Sequence, residues 1–127
     1  MAPALDPPFR IVADREPDSR LWRFFFVNDG ETVVEAAELK AVRFEWGDAY
    51  VGGESPDTRV AGIAPGARAL LWQDDGGSEM RIDLWVRVAE HGAETWLLFE
   101  FPRLYRLQAT TLEAQATRVG GPPADVD

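Results

Sequence analysis

Cysteine is absent from this chain, and histidine and lysine occur once each, as His91 and Lys40. The first absence removes disulfides, thiolate zinc sites and thiol nucleophiles together. A single histidine is too few for a histidine-based zinc centre. His91 lies between Glu90 and Gly92, where a loop tip is expected, and none of Ser19, Ser55 or Ser78 has the strand–turn–helix context of a nucleophile elbow. Neither Gly52-Gly53 nor Gly76-Gly77 leads into a helix with a Lys-Ser/Thr pair, so no phosphate loop is present. Residues 74–79 (DDGGSE) are acidic but lack the spaced ligands of a calcium loop, and read as a turn. No cofactor and no metal is expected.

Positive charge is scarce as well. Thirteen bases stand against 22 acids, giving a net charge of −9. Such a surface repels phosphate backbones, so nucleic acid is not an expected partner. No stretch approaches the roughly 18–20 apolar residues of a membrane span. Residues 1–8 have neither the basic nor the apolar region of a secretory signal, so the expected location is cytoplasmic, with no membrane partner.

What is present fits one domain. At 127 residues, 46% hydrophobic and 28% charged, the chain has globular composition and enough length to bury a core without staples. Residues 1–8 carry three prolines and 119–127 end in GGPPADVD, so both read as short disordered tails around a domain at 9–118.

Between the tails the pattern is period-two alternation rich in aromatic and β-branched residues. Residues 9–13 form a first strand. Residues 21–28 (LWRFFFVN) form a second, apolar on nearly both faces and therefore central. Residues 32–46 are ambiguous: 35–41 (EAAELKA) has helix formers, whereas 41–46 (AVRFEW) alternates. A long strand bulged near Lys40 is favoured over a short helix. Residues 47–62 make a long glycine-rich connection with an apolar piece at 60–63, and Trp46 and Tyr50 could line its rim. Pro65-Gly66 sets a tight turn. Strands follow at 68–73, 80–89 and 95–101, where Pro102 stops the ladder; 105–118 could be a strand or a short helix. The sum is all-β: a single antiparallel β-sandwich of about seven strands.

The order is an apolar strand ending in Val27-Asn28-Asp29-Gly30, an alternating strand, Ile63-Ala64-Pro65-Gly66 leading into Leu70 and Trp72, and a closing hairpin. Over residues 9–102 it resembles the immunoglobulin-like and fibronectin-type-III-like modules of bacterial proteins. The resemblance implies a sandwich with adhesive or spacer roles in secreted arrays. A single copy with no secretory signal departs from that pattern, and a fold analogy does not assign function.

Residues 80–101 permit a register argument. With His91-Gly92 as the loop, cross-strand partners sum to 183, which sets Val86 against Leu97, Leu84 against Phe99 and Ile82 against Phe101 as a core face. The opposite face pairs Arg87 with Trp96, Trp85 with Leu98, and Asp83 with Glu100. Arg87 over Trp96 is a candidate cation–π contact. Trp85, Trp96 and Leu98 would form an apolar patch on the solvent side, either covered by another strand, a tail or the 47–62 connection, or free for a partner. Asp83 beside Glu100 is a like-charge pair that needs compensation. Arg81 supplies it from the same face, and Arg68 would add to it if 75–76 were a tight hairpin loop; an immunoglobulin topology would instead carry that link between sheets.

Three functions follow, in decreasing order of support. The first is a non-enzymatic module binding a protein partner or a second copy through Trp85, Trp96, Leu98, Arg87, Asp83 and Glu100. The second is a carbohydrate or small-molecule binder using the same aromatics and carboxylates. The third is a hydrolase built on Asp83 and Glu100.

Overall fold

A computed structural model of the chain describes residues 7–46, 49–74, 80–102 and 110–123. Among these residues ten strands form two antiparallel sheets packed face to face: β1 (Phe9–Asp14), β2 (Trp22–Asn28), β3 (Val34–Trp46), β4 (Ala49–Glu54), β5 (Thr58–Ile63), β6 (Arg68–Asp74), β7 (Arg81–Glu90), β8 (Ala93–Phe101), β9 (Thr111–Gln115) and β10 (Thr117–Val119). The first sheet has the order β6-β2-β1-β9. The second runs β10-β8-β7-β3-β4, with β5 also paired to β3. The chain is thus an all-β sandwich, and residues 35–41 are strand.

The inner faces meet in a core rich in aromatics. Phe24 packs edge-on against Phe101 at 5.3 Å between ring centres, and Phe26 against Phe99 at 6.5 Å. These pairs join β2 to β8 across the sandwich, in the edge-to-face geometry that aromatic quadrupoles favour.

The β7–β8 hairpin has the 183 register throughout, from Ile82 opposite Phe101 to Glu90 opposite Ala93. Its loop places His91 at φ 54° and Gly92 at φ 75°, the left-handed pair required by a type I′ turn. The bulge in β3 falls between Leu39 and Ala41. Core-facing residues are Ala37 and Leu39 before it, then Val42 and Phe44 after it, so Lys40 is the extra residue that restores inward phase.

The 47–62 connection contains two strands that the sequence hides. β4 pairs with the C-terminal half of β3 and β5 with its N-terminal half, along one edge. Glycines at 52 and 53 weaken intrinsic strand preference, but the free edge of β3 supplies the partner. Where this outer strand is interrupted, Asp57 takes φ 55° and accepts a hydrogen bond from Lys40 Nζ at 2.5 Å.

The link from β6 to β7 crosses between sheets. Arg68 faces Val27 on β2 and not Asp83, which corrects the expectation that it would compensate that carboxylate; the hairpin loop assumed there, 75–76, lies outside the described residues. Pro7 and Pro8, assigned to a tail by sequence, are docked: the Pro8 carbonyl accepts the Asp29 N–H at 2.9 Å. Val119, also assigned to a tail, pairs with Trp96.

Asn28 ties two turns together. It is fully buried, donates from Nδ2 to the carbonyls of Thr32 (2.8 Å) and Ile63 (3.0 Å), and accepts the Gly30 N–H at 2.9 Å. Its main chain bonds Gly66 and Ala67. Gly66, at φ 80°, occupies the left-handed position of the turn that follows Pro65.

Candidate functional site

The outer face of the second sheet carries all six residues singled out in the sequence, in the expected rows: Arg87 opposite Trp96, Trp85 opposite Leu98, and Asp83 opposite Glu100. Strands on either side extend those rows. β10 adds Val119 beside Trp96 and Thr117 beside Leu98. β3 adds Glu38 beside Arg87, Ala41 beside Trp85 and Arg43 beside Asp83.

The apolar patch is more closed than an open binding surface. Trp85 is only 8% exposed, and Trp96 and Leu98 are half-buried. Its neighbours account for much of this: long ion-paired side chains stand on both flanks of the Trp85 row, and their aliphatic stems cover apolar surface. What stays accessible is the Trp96–Leu98 side, beside the short edge strand β10.

On one flank Arg87 bridges two carboxylates, Glu38 at 3.1 Å and Glu94 at 3.0 Å. Its hydrogen bond to Glu38, reinforced by the charges of Glu38 and Glu94, raises its pKa. The guanidinium carbon is 5.9 Å from the Trp96 ring centre, the far limit of a cation–π contact, so the carboxylates dominate. Glu38 continues to Lys40 at 3.8 Å, and Lys40 holds the Asp57 carboxyl below its ordinary range by hydrogen bond and charge.

On the other flank Arg81 spans Asp83 (3.2 Å), Glu100 and Glu45 (3.7 Å), and Arg43 meets Glu45 at 3.3 Å. Asp83 is 5% exposed. Burial pushes its carboxyl pKa up; Arg81 opposes that shift, and Glu100 and Glu45 reinforce it.

The two carboxylates of a glycosidase must both reach a substrate and a water. Here one is shut beneath the sheet's side chains and both are claimed by one guanidinium, an arrangement that stabilises a strand pair. A sugar-stacking ring must present a free face, and Trp85 does not. Among the described residues no group of three or more His, Asp or Glu is placed to hold a metal ion, and no helix is long and apolar enough to cross a membrane.

Sequence reasoning missed Glu38, Arg43 and Glu45, although a signal was available. They oppose Arg87, Asp83 and Arg81 as three pairs of opposite charge, one before and two after the Ala41–Trp85 pair. Their number sums change from 125 to 126 at the Lys40 bulge, so charge and phase together define the β3–β7 register. The segment 74–79, read as a turn, falls outside the described residues from 75 onward. Compared with known protein families, curated proteins and solved structures, the chain matches none.

Proposed function

We propose that this chain is a non-enzymatic protein-interaction module of immunoglobulin-like type, which engages a partner or a second copy on the outer face of its six-stranded sheet. The carrying observation is the make-up of that face: half-buried Trp96 and Leu98 over the buried Trp85, framed by two ion-pair networks. An apolar centre within a polar rim is the general anatomy of protein interfaces, where Trp and Arg dominate binding energy. Connectivity supports the immunoglobulin-like assignment. β1, β2 and β6 sit side by side where strands A, B and E of that fold would lie, and β3, β7 and β8 where C, F and G would.

The test replaces the accessible apolar pair and spares Trp85. A Trp96→Ser, Leu98→Ser variant is expected to keep its fold by circular dichroism and to lose association. Association is read as dimer mass in sedimentation, or as recovery of a partner on the immobilised chain. Unchanged association in this variant would overturn the reading.

A further inference from the structure

The sandwich has an open side. β5 pairs only with β3, and β6 only with β2, so each is a free edge among the described residues. Between these edges lies an open depression of about 280 Å³ lined by Thr58, Leu70, Leu71, Trp72 and Gln73. This is below the usual range for small-molecule pockets and suits one or two inserted side chains.

Edge strands are normally guarded by charge, proline or brevity. β10 has three residues, and β9 exposes Glu113. β6 instead runs Ala69-Leu70-Leu71-Trp72 through its middle, with Leu70 41% exposed. Beyond Arg68 at its start, its safeguard is a bulge at Leu71, the extra residue between the Phe24–Trp72 and Phe25–Leu70 pairs. The bulge turns both Leu71 and Trp72 inward and leaves only a short regular edge before it.

The charges at this edge are unlike those of the two ion-pair networks. On the other sheet's outer face Arg81, Arg87, Arg43 and Lys40 all meet carboxylates. Arg59 on β5 and Arg68 on β6 are exposed, and among the described residues neither meets one. Arg68 lies with its guanidinium carbon 4.3 Å from the Phe25 ring centre, on the face where Arg23 also approaches that ring at 5.8 Å. Stacking holds the planar fork in place and leaves its N–H donors free at the ring's margin. Glu38, directly opposite Arg59, already serves Arg87 and Lys40, Asp57 serves Lys40, and Asp74 stands at the far end of β6. Two exposed arginines in no ion pair among the described residues, Arg59 on the outer face of one sheet and Arg68 on that of the other, flank this apolar edge in a chain of net charge −9.

We infer that the β5–β6 edge docks a short, extended, acidic segment of another protein. The segment's main chain lies along β6, one apolar side chain enters the depression beside Leu70 and Trp72, and its carboxylates meet Arg68 and Arg59. This is strand addition, in which backbone bonds give affinity and side-chain sites give selectivity. The depression and Arg68 are separate from the Trp96–Leu98 face, and Arg59 stands at the far border of that face, across Glu38 and Arg87 from Trp96.

Fluorescence anisotropy of the full chain tests this with a labelled peptide that alternates glutamate with valine and leucine, and with a control carrying lysine in place of glutamate. Saturable binding of the acidic peptide alone is expected. It should weaken about tenfold or more in Arg59→Glu, Arg68→Glu, less in Arg59→Gln, Arg68→Gln, and not at all in Trp96→Ser, Leu98→Ser. Melting curves confirm that each variant is folded. Absence of binding, equal binding of the lysine peptide, or indifference to both arginine pairs overturns the inference. So does a wild-type dimer that dissolves in the glutamate variant, because the edge would then serve a second copy.

Discussion

Among the described residues Asp83 and Asn28 are the two buried polar ones, and they have opposite balances. Asn28 is fully satisfied, with two donors and one acceptor used. Asn28→Ala strands two carbonyls and an N–H, and should cost about 2–4 kcal/mol in chemical denaturation. Asn28→Asp should be no milder, because a carboxylate cannot donate to Thr32 and Ile63. An aspartate variant as stable as wild type would show that these bonds matter little. Asp83 is held at a net cost of burial, so its folded pKa lies above the unfolded value of 3.8. Its contribution is therefore most favourable below that value and declines as pH rises from there through the folded pKa. Arg81 limits the cost. Arg81→Met should lose about 1–3 kcal/mol at neutral pH, a figure reduced for the partial exposure of the guanidinium. It should lose much less at pH 3, where the Asp83 carboxyl is protonated. A loss independent of pH would mean that Arg81 acts by packing alone.

Within β3, Lys40 is the residue that the bulge takes out of the alternation, between inward Leu39 and outward Ala41. Deleting it would leave Leu39, Ala41 and Val42 in regular alternation with every facing kept, whereas deleting Lys40 and Ala41 together would turn Val42 and Phe44 outward, because a one-residue slip reverses every facing. The single deletion should retain the native near-ultraviolet spectrum and the double deletion should abolish it. A natively folded double-deletion variant would contradict the phase argument. At the β7–β8 hairpin, His91 holds a positive φ that asparagine tolerates better, with Gly92 after it. His91→Asn should raise stability by about 0.5–1 kcal/mol in thermal melts. These two elements were legible because their information is local: the hairpin from a two-residue turn between alternating runs, the bulge from a break of phase at Lys40. β4 and β5 were not legible, because Gly52, Gly53 and Pro56 mask strands that exist only against the edge of β3. The site was half legible for the same reason. The β7–β8 register placed Trp85, Trp96 and Asp83 correctly on one face, but their coverage comes from β3 and β10, distant in sequence.

Across the whole molecule, which sheet a strand joins is the least local property. Residues 68–73 read as a strand, yet alternation alone could not tell whether Arg68 would face Asp83 or Val27. The C-terminal segment shows the same point. β9 pairs with β1 of one sheet, and after Ala116, whose N–H reaches the Phe9 carbonyl at 3.2 Å, β10 pairs with β8 of the other. One segment thus guards two edges and seals that side, which leaves the β5–β6 side open. Removing residues 110–127 should uncover β1 and β8 and yield a destabilised, aggregation-prone chain by gel filtration. A stable monomer of this length would show that β9 and β10 are dispensable. The five tryptophans offer the most direct test of how the intact module is used. Trp22, Trp72 and Trp85 are buried, Trp46 is half-exposed at a hairpin end, and Trp96 borders the proposed contact face. With 5-fluorotryptophan in place of all five, fluorine NMR during association with a partner or a second copy should move the Trp96 resonance most and leave the other four nearly still. Association that shifts Trp46 and leaves Trp96 unmoved would contradict the assignment of that face.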